Sequence, residues 1–215
     1  MTFGTMLSTM AAGMLKTILL FVLTLLGSLP LGMIVVFLKK SKFKPIAWIT
    51  DIYIAVMRGT PLMLQLLVWY FGPYYLFGFS IRGYKFTALL IGFIMNYAAY
   101  FAEIYRSGID SMPIGQYEAA EILGYSKIQT FMKIILPQVI KRILPSVTNE
   151  VITLVKDTSL ASALAYSEVF SLAKQISASQ TSFMPFLIAG IFYFVANYVV
   201  AWIMNRIEKS MQYYK

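Results

Sequence analysis

Residues 17–38, TILLFVLTLLGSLPLGMIVVFL, run for 22 positions without a charged side chain and end in KKSKFK. At about 1.5 Å of rise per residue, a helix of this length crosses the roughly 30 Å hydrocarbon layer of a bilayer. A core helix of a soluble domain has no use for so long an uncharged run. The rest of the chain repeats the pattern. Gly59 to Ile81 is a second uncharged stretch, interrupted by Gly72-Pro73 near its far end. Phe86 to about Arg106 is a third, with Glu103 close to its exit. Pro145 to Ser167 is a fourth and the most polar, since Glu150, Lys156 and Asp157 lie inside it. Phe183 to Met204 is a fifth, inside the uncharged stretch 175–205. Residues 46–57, IAWITDIYIAVM, fit either an interfacial helix or the start of the second span.

The expected architecture is an all-α polytopic membrane protein. It is one transmembrane domain over residues 1–215, with spans at about 17–38, 59–81, 86–106, 145–167 and 183–204. Composition agrees: 59% of residues are hydrophobic and 13% charged, against about 25% charged in soluble domains. There is no cysteine and no histidine, which removes disulfides, thiolate nucleophiles, histidine triads and the common zinc and haem sites together. No metal site and no cofactor bound by this chain is expected. The first run ends in lysines rather than small residues, which predicts a retained span and not a cleaved leader.

Five spans put the termini on opposite sides, and lysine and arginine concentrate on the inner side of such proteins. With the N-terminus outside and the C-terminus cytoplasmic, the inner segments hold 13 of the 18 basic residues, from Lys39, Lys40, Lys42 and Lys44 to Arg206, Lys209 and Lys215. The outer segments keep Lys16, Arg82, Lys85 and Lys174. This charge belt also accounts for the net charge of +9 without a nucleic-acid partner.

The longest inner segment, about 111–137, mixes charged and apolar residues in a chain that is otherwise mostly oily. Ser111 is placed to cap a helix with Pro113 in its opening turn, and Gly124 stands where a helix end favours positive φ. Ser126 and Gln129 have the spacing of a capping box that restarts a helix. The pattern reads helix, glycine turn, helix. Ala119 and Ala120 permit close approach by another protein, while Glu118 and Glu121 are too costly to bury in lipid. Read on its own, the segment fits a solvated connector equally well.

Glu118-Ala119-Ala120, then Gly124, Ile134 and Leu136-Pro137, resembles the EAA motif of the permease subunits of bacterial ATP-binding-cassette importers. RGTPLMLQL at 58–66, AEIYRSGIDSMPIGQ at 102–116, LPQ at 136–138 and KDTSL at 156–160 look like the polar amino acid permease family. The resemblance implies the type I importer permease fold, in the bacterial cytoplasmic membrane. It implies a coupling helix at Gln116, Glu118, Ala119, Ala120, Leu123 and Gly124 that docks into an ATPase. The implied partners are a second permease, as homodimer or sibling chain, two ATPase subunits that hold ATP and Mg, and an extracytoplasmic amino acid binding protein. The chain itself has no GK[ST] phosphate loop and is not expected to be an enzyme.

Ionisable groups in a span cost at least about 2.5 kcal/mol each at mid-depth, so they normally face a cavity or a partner. Asn149, Glu150, Thr153, Lys156 and Asp157 share one broad helical face, which suits a water-filled route. Asp157, Thr158 and Ser159 are strong N-cap types, predicting a break and restart there. Asp157 is the candidate for a substrate ammonium, with Lys156 or the restarted helix for the carboxylate. Neutralisation of other helices' charges is the competing role for that pair. Gln65 is a candidate for the same cavity or for interhelical bonding. Arg58, Glu103 and Arg106 are candidates for an inner gate or for an interfacial ion-pair network. The aromatic cluster 69–79 reads as an outer interface belt. Two other functions remain open on the residues alone: an ion-coupled secondary amino acid transporter, and a non-transporting assembly subunit.

Overall fold

The computed structural model describes residues 2–211, and among them every regular element is helical. Lys215, counted above with the inner basic residues, lies outside the described residues. The helices are α1 (Phe3–Lys39), α2 (Lys44–Gly59), α3 (Leu62–Phe77), α4 (Lys85–Asp110), α5 (Ile114–Ile122), α6 (Lys127–Thr130), α7 (Leu136–Asp157), α8 (Val169–Gln180) and α9 (Met184–Ser210). A π-helical turn, Phe131–Ile135, joins α6 to α7, and a 3-10 segment, Thr158–Leu164, follows α7.

Helices α1 and α4 form the centre. Gly32 makes their closest approach possible: a Cβ there would stand 3.2 Å from Ala98 O and 3.3 Å from Ala102 N. Leu20, Leu66, Phe93, Tyr97, Phe101 and Leu154 are buried around this contact. A second cluster joins Met6, Met10 and Met14 of α1 to Val169 and Ala173 of α8 and Ile188 of α9. Large apolar side chains on α1, α3 and α9 point outward, among them Leu15, Leu26, Tyr75, Leu76, Phe194 and Tyr198. In water such a surface is untenable, and in lipid it is the expected one.

Three helices are individually long and apolar enough to span, Phe3–Lys39, Lys85–Asp110 and Met184–Ser210, and α2 with α3 makes a fourth, broken unit. The first span begins at Phe3 rather than Thr17, because the N-terminal methionines carry the same helix along α8. The second is resolved in favour of a separate α2, bent by 113° from α3. Pro61 forces its predecessor away from helical geometry, and Thr60 is extended at φ −122° and ψ 152°. The expected fourth span, 145–167, is not among these long apolar helices: its helix, α7, runs from Leu136, where Pro137 has no N–H to return to Lys133 and the chain enters through the π turn, to Asp157.

The break after α7 is real, but the restart is not where the cap types suggested. Thr158 Oγ1 donates back to Val155 O at 2.6 Å and Ser159 Oγ to Lys156 O at 2.7 Å, which prolongs the turn instead of capping a new helix. The new helix is α8, capped by Glu168, whose carboxylate accepts from the backbone N–H of Phe170 and Ser171. Ser111 is corrected in the same way. It closes α4, its Oγ donating to Gly108 O at 2.6 Å, and α5 begins at Ile114, just after Pro113, without a side-chain cap.

Candidate functional site

Successive turns of α7 bring Glu150, Thr153 and Asp157 to the same side, where they meet Asn96, Tyr97 and Tyr100 of α4 and Thr60 of the α2–α3 bend. Together they line a cavity of about 210 Å³. The Tyr97 hydroxyl donates to Asp157 Oδ2 at 2.7 Å. Tyr100 and Glu150 also belong to a larger cleft of about 390 Å³, whose other polar walls include Arg58, Arg106 and Arg142. The two spaces share those residues, so carboxylates dominate one end and guanidinium groups the other.

Not every expected pathway residue reaches this space. Asn149 and Lys156 are exposed at the edge of the polar face and line neither cavity. Thr158 is wholly buried, and Ser159 is committed to its own turn. Gln65 is buried and fully bonded. Its Nε2 donates to Met57 O at 2.9 Å, Thr60 O at 3.1 Å and Thr60 Oγ1 at 2.8 Å, while its Oε1 accepts from Asn96 Nδ2 at 2.9 Å. The reason is the bend: Pro61 leaves carbonyls of α2 without helical partners, and the amide supplies them. Gln65 therefore holds α2, α3 and α4 together instead of facing the cavity.

Arg58, Glu103 and Arg106 do come together, at the lysine-rich end. Glu103 accepts from Lys39 Nζ at 2.7 Å and from Arg106 Nη2 at 2.9 Å, with Arg58 Nη1 at 3.9 Å. Lys39 continues to Asp51 at 2.9 Å, and Arg106 to Asp110 at 3.0 Å, which also meets Lys40. The network joins α1, α2 and α4, and Arg58 lies over the Tyr100 ring at 5.4 Å.

In the expected coupling segment, α5 ends in a full Schellman closure. Gly124 N–H donates to Glu121 O and Tyr125 N–H to Ala120 O, each at 3.0 Å, with Gly124 at φ +77°. The Ser126–Gln129 capping box restarts the chain, its side chains exchanging bonds of 2.9 and 3.3 Å with the opposing backbone. Ala120 is the buried residue of α5, and Gln116 is tied to Gln138 of α7 by two bonds of 2.8 and 2.9 Å. Glu118, Ala119, Ile122, Leu123 and Gly124 are left exposed, Ile122 at 86% and Leu123 at 73%. Burial and the nearby Asp110 carboxylate push the Tyr117 phenol above its ordinary range.

Tyr97, Tyr100, Asp51, Asp110 and Glu168 take part in these sites without a pattern in the sequence that singles them out, and Lys39 is expected only as part of the basic belt. Asn96 carried a usable signal, as a lone amide in an apolar span. Glu168 is fully buried and also accepts from Tyr193 Oη at 2.9 Å. Tyr97 and Lys39 pair with Asp157 and Glu103, 60 and 64 residues away, and nothing local announces them, whereas Asp110 has Arg106 one turn before it.

Residues 28–213 match the family described as binding-protein-dependent transport system inner membrane component. The chain belongs to this family. This permease is thus an integral inner membrane transport subunit and not an ATPase, which disfavours the ion-coupled and non-transporting readings. It is 36% identical over 201 residues to the arginine transport system permease protein ArtQ of Bacillus subtilis (strain 168), covering 93% of this chain and 91% of that one. It is 32% identical over 208 residues to the L-cystine transport system permease protein TcyB of the same organism, covering 95% and 87%. Among solved structures, one described as an amino acid ABC transporter with histidines aligns at a TM-score of 0.87 with 32% identity, over 98% of this permease and 99% of that chain. The inward-facing MetNI methionine ABC transporter aligns at 0.73 with 16% identity, over 99% and 100%, which shows the shared type I importer fold.

Proposed function

We propose that the chain forms one half of the translocation unit of an ATP-driven importer for a polar amino acid. The N-terminus lies outside, and the lysine-rich end with segment 111–137 lies in the cytoplasm. Two permeases, as a homodimer or with a sibling chain, enclose the route and rest on two ATPase subunits, which hold ATP and Mg. An extracytoplasmic binding protein delivers the amino acid. Each relative named above carries an amino acid in its description, which supports the cargo class and leaves the particular amino acid open.

The observation that carries the reading is α5. A short helix closed by a glycine at φ +77° presents Glu118, Ala119, Ile122 and Leu123 to the outside, while Ala120 and Gln116 fix it to the body. Exposed Ile122 and Leu123 away from the lipid-facing helices require a protein cover. The covering partner is the ATPase, whose closure moves α5 and, through the π turn, α7. That helix carries Glu150 and Asp157.

Where the two spaces adjoin at Glu150, Asp157 and Glu150 accept the substrate ammonium from the smaller cavity and Arg58, in the larger cleft, takes the carboxylate. Lys156, exposed and lining neither cavity, does not take that role.

The test is purification from native membranes, with hydrolysis measured against a panel of amino acids. Stoichiometric recovery of an ATPase whose activity rises with one polar amino acid supports the proposal. Uptake driven by an ion gradient in vesicles holding this chain alone would overturn it.

A further inference from the structure

A groove of about 620 Å³ lies between the lysine-rich end of α1, the end of α4 and the inner side of the coupling segment. We propose that it binds an anionic phospholipid of the bilayer, with the acyl chain against its aromatic wall and the headgroup on Lys40 and Lys127.

The wall is apolar and aromatic. Phe37 meets Phe131 edge to face at 5.8 Å, and Tyr117 and Tyr125 face them from the coupling segment. Phe37 is half exposed, as is Met132 just beyond the groove. The body of an occupant is therefore apolar. Its position adds to this: α1 leaves its 22-residue uncharged run at Phe37 and Leu38, so the groove opens where hydrocarbon gives way to headgroups.

The rim is cationic. Lys40 is bonded to Asp110 and retains further N–H donors, since an ammonium has three. Lys127 forms no ion pair among the described residues. Lys42 follows on the exposed turn after α1 and Lys44 opens α2, so with Lys39 and Lys40 four lysines fall within six positions. Glu121 is the one acidic residue lining the groove. An occupant with an apolar body and a negative head matches wall and rim together, and a zwitterionic lipid matches the wall alone. A polybasic site at a membrane surface gains about fivefold in affinity per lysine.

One side of the groove is α5 with its glycine turn, and the other is the fixed α1–α4 pair. A bound lipid therefore bridges the body to the coupling segment. The groove is formed by this chain alone, and lipid binding there does not require that α5 be the coupling element.

The permease, purified in detergent with whatever subunits accompany it, is exposed to equal amounts of chain-matched phosphatidylglycerol and phosphatidylcholine. Retained lipid is counted by native mass spectrometry. A photoactivatable phosphatidylglycerol then maps the contact. Retention of phosphatidylglycerol at fivefold or more over phosphatidylcholine, crosslinks within residues 117–131, and a roughly fivefold loss of that preference in Lys127→Gln at unchanged melting temperature support the site. Phe131→Ser lowers retention of both lipids. Equal retention, crosslinks elsewhere, or a preference untouched by both Lys127→Gln and Lys40→Gln overturn it. So does thermal protection by inorganic phosphate equal to that by the lipid. Displacement of all lipid by a bound ATPase subunit assigns the groove to that partner and likewise overturns the proposal.

Discussion

The hydroxyl of Tyr97 on α4 donates to Asp157 Oδ2 on α7 across 2.7 Å, beside the small cavity that both residues line. The bond fixes the carboxylate's direction and leaves its charge to be met by something else. Asp157→Asn separates these two properties, since the amide oxygen accepts from Tyr97 as the carboxylate did. Assembly and melting temperature stay close to wild type, while KM for uptake rises at least about tenfold, the equivalent of about 1.4 kcal/mol. Unchanged uptake kinetics in an assembled complex removes Asp157 from the substrate route.

Gly124 ends α5 at φ +77°, and no heavy atom stands within 4 Å of a Cβ built there. The obstacle to a side chain is thus backbone conformation and not space. A β-branched residue pays about 1–2 kcal/mol in the left-handed region, and the Schellman closure of α5 relaxes. Gly124→Val is expected to leave the membrane body folded and to lower both transport and transport-linked ATP hydrolysis. Gly124→Asn, a residue that tolerates this region, restores most of both. Full activity in the valine variant excludes α5 as the coupling element.

Glu103 collects Lys39 and Arg106 directly and is only 15% exposed. Hydrogen bonds to a charged group contribute about 1.5–3 kcal/mol each. Glu103→Gln keeps the shape and removes the charge, leaving cations on three helices without their common partner. A lowering of the melting temperature by roughly 3–12 °C follows, on the scale expected for a chain of this size. If the network also works as a gate, amino-acid-independent ATP hydrolysis rises in the same variant. A variant that loses stability with unchanged basal hydrolysis reduces the network to a clamp between α1, α2 and α4.

Features closed by local atoms can be read in the sequence, and features closed by distant residues cannot. The Ser126–Gln129 box and the Gly124 turn were legible because each is closed by atoms within five positions. The long apolar helices were legible because hydrocarbon thickness sets a minimum length. Their ends were not: α1 starts at Phe3 instead of Thr17, and the second run is broken at Pro61. Lys39, Asp51 and Glu103 were not legible as a unit: the Lys39–Glu103 contact is 64 residues apart in the chain, and any of the basic residues near the boundary was an equal candidate. The restart after α7 failed for a related reason. Asp157, Thr158 and Ser159 have the better cap chemistry, yet Glu168 is chosen because Tyr193 reaches it from α9 and Thr17 of α1 accepts from the neighbouring Val169 N–H. Polar residues in a span advertise that they need partners and do not say whether those partners are helices or cargo.

Gln65 tests that last distinction. Its amide serves Met57, Thr60 and Asn96 at the 113° bend, and it lines neither polar cavity. Gln65→Leu preserves bulk and strips the bonds, leaving Thr60 and Asn96 partly unpaired. Interhelical bonds in membranes average about 0.6 kcal/mol, and an orphaned buried polar group adds about 1–3 kcal/mol. The variant therefore melts several degrees lower, and Asn96→Leu, which removes the opposing amide, does the same. Because the two residues share one bond, the double substitution costs less than the sum of the two, by about 0.5 kcal/mol or more. KM for uptake stays within about twofold of wild type in the part of each preparation that remains assembled, as expected when the geometry of Glu150 and Asp157 is set by α7 and Tyr97. A tenfold change in KM at unchanged melting temperature would instead return Gln65 to the substrate route.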